Sequence, residues 1–306
     1  MLKKILGLGV VLAVAGAGAG WFLSASRSLP EATLAALPQG DAARGEAVFW
    51  AGGCTSCHSA KGAEGEDKLK LGGGLKLVTP FGTFVAPNIS SDPNDGIGGW
   101  SLATFANAMM TGTGPHSENL YPAFPYTSYA RMDVQDVADL FAFMKTLPAV
   151  SGKAPPHELG FPFNLRRGLG LWKLLNLKPE PVIAAPAAGA DVDMAVWQRG
   201  RYLVEGPGHC GECHTPRDAI GGLDYSAWLT GAPAAAGDGK VPGLDPSSEL
   251  GNWSITDVAY YLESGFTPDY DSVGGEMVEV QANMAKLPAS DREAIAVYLK
   301  ALPNAQ

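Results

Sequence analysis

Cysteine is scarce: there are four in 306 residues, and none stands alone. They form two pairs, Cys54/Cys57 and Cys210/Cys213, each followed directly by a histidine, His58 and His214. No thiol is left over for a disulfide, so the compartment has to be argued from the N-terminus rather than from disulfide usage. Further cysteine ligands are also lacking, which argues against a zinc site built on either pair. Neither pair sits in a βαβ pattern, the usual setting of a thioredoxin-like dithiol. A basic stripe is missing as well. Net charge is −9, and such an acidic chain is not expected to bind nucleic acid.

Glycine and proline, by contrast, are plentiful, at 39 and 23 residues. That favours loop-rich domains wrapped around something other than their own side chains. The length suggests about two domains. Charge is uneven along the chain: +3 over residues 1–30, −5 over 31–150, +3 over 151–190 and −10 over 191–306.

The pattern Cys-x-x-Cys-His carries the main chemical signal. Two cysteines three positions apart on one helical turn reach the two vinyl groups of one porphyrin, and the adjacent histidine falls under the iron. Cys54, Cys57 and His58 are therefore the candidate attachment and proximal residues of one haem c. Cys210, Cys213 and His214 are those of a second.

The two motifs belong to an internal repeat. They lie 156 positions apart, and other landmarks recur at nearly that offset. A helical pattern opens at Trp100-Ser101 and ends at Gly112; its counterpart opens at Trp253-Ser254 and ends at Gly265, 153 positions later. Asp133–Pro148 and Pro288–Pro303, 155 apart, both read as amphipathic terminal helices with an acidic first turn. Residues 41–51 and 194–204 each predict a helix leading into a motif. The expected order in each unit is helix, haem motif, Gly/Pro-rich loop, helix, loop, helix. Repeats this long are whole domains, placed at 41–150 and 191–306. The Pro/Ala-rich stretch 151–190 is a linker with a cationic patch at Leu165–Leu175. That patch predicts a short helix, either packed across the domain interface or lying on a membrane or partner.

At the N-terminus, Lys3 and Lys4 precede an apolar run from Ile5 to Leu23. Its length of 19 residues matches the ~20 that span a bilayer. Residues 1–27 are thus expected to be a single-pass anchor in a bacterial inner membrane, with the haem domains in the periplasm. A cleaved signal peptide, with small residues around Ala19 or Ser26, is the alternative. Residues 28–40 read as a tether.

The sixth ligands are less legible. Methionine suits a high-potential haem c, because a thioether favours reduced iron. Met277 is the candidate in the second domain, with Met284 as core filler. Met132 is the candidate in the first, with His116 in reserve. The repeat sets Met132 opposite Leu287, however, and not opposite Met277. His209 reads as a supporting or surface group, and His157 has no evident partner. Residues 91–96 read as a solvated acidic turn rather than a calcium loop.

Several stretches resemble a known family. They include Leu23–His58, with Gly45-Glu46 and Phe49-Trp50 ahead of the first motif, Pro80–Thr83, Pro87–Ile89, Tyr121–Tyr126, and Phe161–Leu175 in the linker. Together they are similar to the membrane-anchored cytochrome c subunits of periplasmic alcohol and sugar dehydrogenases. The resemblance implies an all-α chain: one transmembrane helix followed by two tandem class I cytochrome c domains with His/Met haems. It also implies electron transfer from a dehydrogenase subunit towards quinone, a basic cytochrome c or an oxidase. The chain departs from the family in two respects. Those subunits commonly carry three haems where two motifs stand here, and some members have methionine where this sequence has Phe124. A di-haem redox enzyme of the peroxidase or thiosulfate dehydrogenase type is the alternative function. A haem-bearing sensor ranks behind both, since no signalling domain accompanies the motifs.

Overall fold

A computed structural model describes residues 2–234 and 239–303. The N-terminal run is a helix, α1 (Leu2–Leu23). Among the described residues, however, no helix is long and apolar enough to cross a membrane. This overturns the expected transmembrane anchor. A physical reason lies in Val14–Leu23, where six of ten residues are glycine or alanine and carry little apolar surface. A short α2 (Glu31–Ala35) follows.

The first domain opens with α3 (Ala42–Ala51), capped by the Asp41 carboxylate, which accepts from the Ala43 and Arg44 N–H groups. The motif helix α4 (Cys54–His58) comes next. Strands β1 (Lys76–Thr79) and β2 (Gly82–Val85) form an antiparallel ribbon. Helix α5 (Leu102–Thr111) starts at the Ser101 cap and stops at Gly112, as expected. A single turn, α6 (Tyr126–Tyr129), precedes the terminal helix α7 (Val134–Met144).

The linker contributes α8 (Gly168–Asn176). It packs across both domains. Lys173 Nζ donates to Gly112 O (2.6 Å) and Asn119 Oδ1 (2.9 Å) in the first. Trp172 Nε1 donates to Ile220 O (2.9 Å) in the second. Lys173, Asn176 and Gly170 face inward while Leu171, Leu174 and Leu175 face solvent, the reverse of an ordinary surface helix.

The second domain repeats the plan. Helix α9 (Met194–Glu205) is capped by Asp193, and α10 (Gly211–His214) holds its motif. A short ribbon pairs β3 (Ala232–Pro233) with β4 (Lys240–Val241). Then come α11 (Ile255–Ser264), with a Ser254/Asp257 capping box, α12 (Met277–Met284) and α13 (Ala289–Lys300). The two ribbons correct the all-α expectation. β-branched and aromatic residues in Leu77–Thr79 and Thr83–Val85 favour paired strands within the Gly/Pro-rich loops.

In each domain the first and last helices cross at a glycine. A Cβ on Gly45 would stand 1.9 Å from Asp139 O, and one on Gly200 would stand 1.9 Å from Ala294 O. Both helix pairs therefore touch backbone to backbone, which only glycine permits. Each domain has its own core, around Phe49, Phe105, Leu140 and Phe141 in the first and around Trp197, Val258, Ile295 and Tyr298 in the second. Ala51 and Trp50, from the end of α3, reach into the second core.

Candidate functional site

Both motifs sit on short helices whose histidines are held the same way. His58 Nδ1–H donates to Pro87 O (2.8 Å), and His214 Nδ1–H donates to Pro242 O (2.7 Å). A carbonyl can only accept, so the proton sits on Nδ1 and the Nε2 lone pair is free to coordinate. The carbonyl of each histidine accepts from a loop glycine, Gly73 or Gly231, at 2.8 Å. Burial lowers both imidazole pKa values below the usual range, which keeps them neutral as a metal ligand must be.

Burial pushes the Cys54 and Cys210 thiols up to about 12, and Cys213 up to about 11. A redox dithiol needs the opposite shift. No group of three or more His, Cys, Asp or Glu residues that could hold a bare metal ion occurs among the described residues. What each site offers is two thiols and one oriented imidazole. That donor set fits a group that brings its own metal in a macrocycle and takes thioether bonds, which is haem c.

The cytochrome c family model matches residues 42–148. A "Diheme cytochrome c-type" protein of Cereibacter sphaeroides is 52% identical, over 97% of this chain and 97% of its own length. The chain belongs to the di-haem c-type cytochromes. Such a cytochrome holds haem c covalently and transfers electrons through it. Two longer relatives are also similar. The fructose dehydrogenase cytochrome subunit of Gluconobacter japonicus is 34% identical over 89% of this chain and 55% of its own length. The cytochrome c subunit of alcohol dehydrogenase (quinone) from Gluconacetobacter polyoxogenes is 38% identical over 92% and 61%. The chain thus spans between half and two thirds of those two subunits.

The candidate sixth ligands stand in different settings. Met277 is the first residue of α12, half-buried against the second core, while Met284 lies deep in it. Met132 is buried in the first core, with its Cγ beside Gly206 of the second domain. Its repeat counterpart, Leu287, is equally buried. His116 is exposed, and its backbone N–H donates to Glu118. Phe124 packs edge-on against Tyr126 and Tyr129. At the 155-residue offset, Met277 falls opposite Pro122, two residues from Phe124.

Other histidines acquire roles that the sequence did not disclose. His157 Nδ1 accepts from Val85 N–H (3.0 Å), and its ring meets Phe84 and Tyr121, pinning the linker to the ribbon. His209, next to Cys210, sets Nε2 3.2 Å from Gly52 O and stacks edge-on against Tyr129. The two motif regions therefore abut. Residues 91–96 form the expected turn, with Asp92 Oδ1 accepting from Asn94 and Asp95 N–H.

Sequence reasoning missed Glu212 and Asn283. Glu212, inside the second motif, accepts from Thr127 Oγ1 (2.8 Å) and Ser128 Oγ (3.0 Å) of the first domain. Asn283, on α12, accepts from Thr55 Oγ1 and donates to Ser56 Oγ, both at 2.8 Å. Neither position carries a periodic signal, since each contact crosses between domains.

Proposed function

We propose that this chain relays electrons on the periplasmic side of a bacterial inner membrane, from a dehydrogenase towards quinone, a basic cytochrome c or a terminal oxidase. The observation that carries this is the duplicated histidine geometry: two imidazoles in homologous domains, each with Nδ1 tied to a proline carbonyl. In this reading Cys54, Cys57, Cys210 and Cys213 hold the thioether bonds, and His58 and His214 are the proximal ligands. Met277 is the distal ligand of the second haem, and Met132 is the candidate at the first. Bound there, the haems would supply one-electron chemistry; the protein's own part is to orient the histidines and hold the two motif regions against each other.

A dehydrogenase donor is supported by the longer relatives, which are cytochrome subunits of fructose and alcohol dehydrogenases. Periplasmic placement is supported by Lys3 and Lys4 ahead of an apolar helix, the form of an export signal. An electron relay needs no substrate pocket. The reduced, haem-loaded chain should reoxidise rapidly on mixing with a basic soluble cytochrome in a stopped-flow instrument. A reduced protein inert to such acceptors but turning over peroxide or thiosulfate would replace this reading.

Two observations favour a second reading, a di-haem redox enzyme. The Met132 side chain packs towards Gly206, and at the 155-residue offset Pro122, not a methionine, stands opposite Met277. Both favour an exchangeable sixth position at the first haem. Tight cyanide or imidazole binding at one haem only, with peroxide turnover, would establish it.

A further inference from the structure

The two interdomain contacts missed by sequence reasoning are counterparts of each other. Adding 155 to Ser128 gives Asn283, and adding 156 to Ser56 gives Glu212. Ser128 bonds to Glu212, and Asn283 bonds to Ser56. The segment just before the terminal helix in each domain is thus hydrogen-bonded to the residues between the two motif cysteines of the other domain. Those segments, α6 and α12, both end five residues before their terminal helix begins.

The Asn283–Thr55 contact is buried, and the Glu212 contacts are partly buried. Asn283 is 1% exposed and Thr55 3% exposed. Asn283 uses its amide oxygen on Thr55 and its amide nitrogen on Ser56. In the other direction, Glu212 Oε1 accepts from both Thr127 and Ser128, while Oε2 accepts from Arg217 (2.6 Å). An exposed ion pair, Lys68 to Glu279 (2.8 Å), runs beside the Asn283 contact. On the far side, Gln281 Nε2 donates to Leu262 O and Glu263 O, tying α12 to α11 of its own domain. Helix α12 is therefore clamped between its own domain and the motif of the other.

We propose that Asn283 and Glu212 are positioning residues that make each haem motif hold the distal segment of the other haem. Asn283 hangs the helix of Met277 on Thr55 and Ser56; Glu212 hangs the Tyr126–Tyr129 turn on the second motif. The proposal rests on Met277 as the distal ligand of the second haem. Met277 and Asn283 are six residues apart on one helix, about 9 Å along its axis. A rotation of α12 released at Asn283 therefore moves the thioether. Losing one buried hydrogen-bonding partner is enough to shift the balance between methionine-ligated and open haem about tenfold.

The test uses the full, haem-loaded chain. Met277→Ala first identifies which of the two redox waves and ferric haem spectra belongs to the second haem. Asn283→Leu should then raise imidazole affinity at that haem about tenfold and weaken its methionine-to-iron charge-transfer absorption. The first-domain pair Thr55→Val with Ser56→Ala should do the same, although both residues lie in the other motif. Glu212→Ala should perturb the first haem, and Glu212→Gln, which keeps an acceptor oxygen, should largely restore it. Ser56→Ala alone removes a single bond and guards against loss of folding. If Met277→Ala changes the second haem while Asn283→Leu and the Thr55/Ser56 pair leave its ligand affinity and potential as in the parent, the positioning role is overturned and Met277 stands. If Met277→Ala itself leaves the second haem unchanged, the ligand assignment falls, and the proposal as stated falls with it.

Discussion

The two domains share a frame and differ in the segment ahead of the terminal helix. In both, a capped helix crosses the terminal helix at a glycine, and a motif helix ties its histidine to a proline carbonyl. Ahead of the terminal helix they part. The first domain has a four-residue turn, α6, amid Phe124, Tyr126 and Tyr129. The second has an eight-residue helix opening on a methionine. The motif side is thus repeated closely, while the segment that carries the candidate sixth ligands has diverged. Axial ligand and local polarity are the principal controls on haem potential, so the divergence falls where two unequal potentials would be set.

The most drastic way to break the comparison is to empty one site at a time. Cys54→Ala with Cys57→Ala, or Cys210→Ala with Cys213→Ala, should each leave a denatured protein that is still red and one haem lighter by mass. A colourless product from either would show that one domain cannot fold unless the other is loaded.

The shared frame is tested at its glycines. Gly45→Ala and Gly200→Ala should each destabilise by about 1–3 kcal/mol, since the added methyl meets a backbone carbonyl. Thermal denaturation should give similar losses for the two. A neutral result at one position would mean that its helix pair can separate without cost.

The diverged part is tested at the methionines. Met277→Ala should lower the potential of the second haem with little loss of fold, read by potentiometry. Met132→Leu keeps the packing while removing the sulfur. A fall in the first haem's potential would assign Met132, and an unchanged ligand field would remove it.

A smaller effect concerns the linker, which leans on the first domain through Lys173. Burial lowers the pKa of that amine from 10.5 to about 8. The unfolded chain therefore binds this proton more tightly, and stability should rise as pH climbs from about 8 towards 10.5. Lys173→Met should flatten that rise in chemical denaturation curves.

The smallest effect concerns partner docking. The second region carries 7 Lys/Arg against 17 Asp/Glu, and its turn at Thr267–Ser272 exposes Asp269 and Asp271 beside Tyr270. Electron transfer to a basic cytochrome should slow as salt rises, because screening reaches ~10 Å near 0.1 M. Reversing Asp269 and Asp271 should weaken that dependence, and a rate indifferent to both would point to a fixed complex. Glu279 is a poorer site for such a change, because it already pairs with Lys68.

Much of this was legible in the residues. The cysteine spacing marked two candidate attachment sites, and the offset of about 155 marked the repeated order of helices, because both are local patterns in chain order. The caps at Ser101 and Ser254 and the stops at Gly112 and Gly265 fell where expected. Less legible were features set by what lies across a gap. Asn283 reads as an ordinary polar helix position until Thr55 and Ser56 are found beside it. His157 looked idle because its partner, Val85 N–H, is 72 residues away. The N-terminal run looked long enough to span a membrane by length alone, and its small residues decided otherwise. Met132 sits as deep as Leu287, which a helical pattern cannot distinguish from a ligand position.

The contact of Ser128 with Glu212 and its counterpart, Asn283 with Ser56, make the pairing reciprocal, in the manner of an isologous interface: each domain offers the corresponding segment to the other's motif. An interface of that kind closes on itself. Each domain has spent its one copy of the patch on the other, so a third unit of the same design finds no open place to continue the series. Any further domain or redox partner has to approach from outside this closed pair.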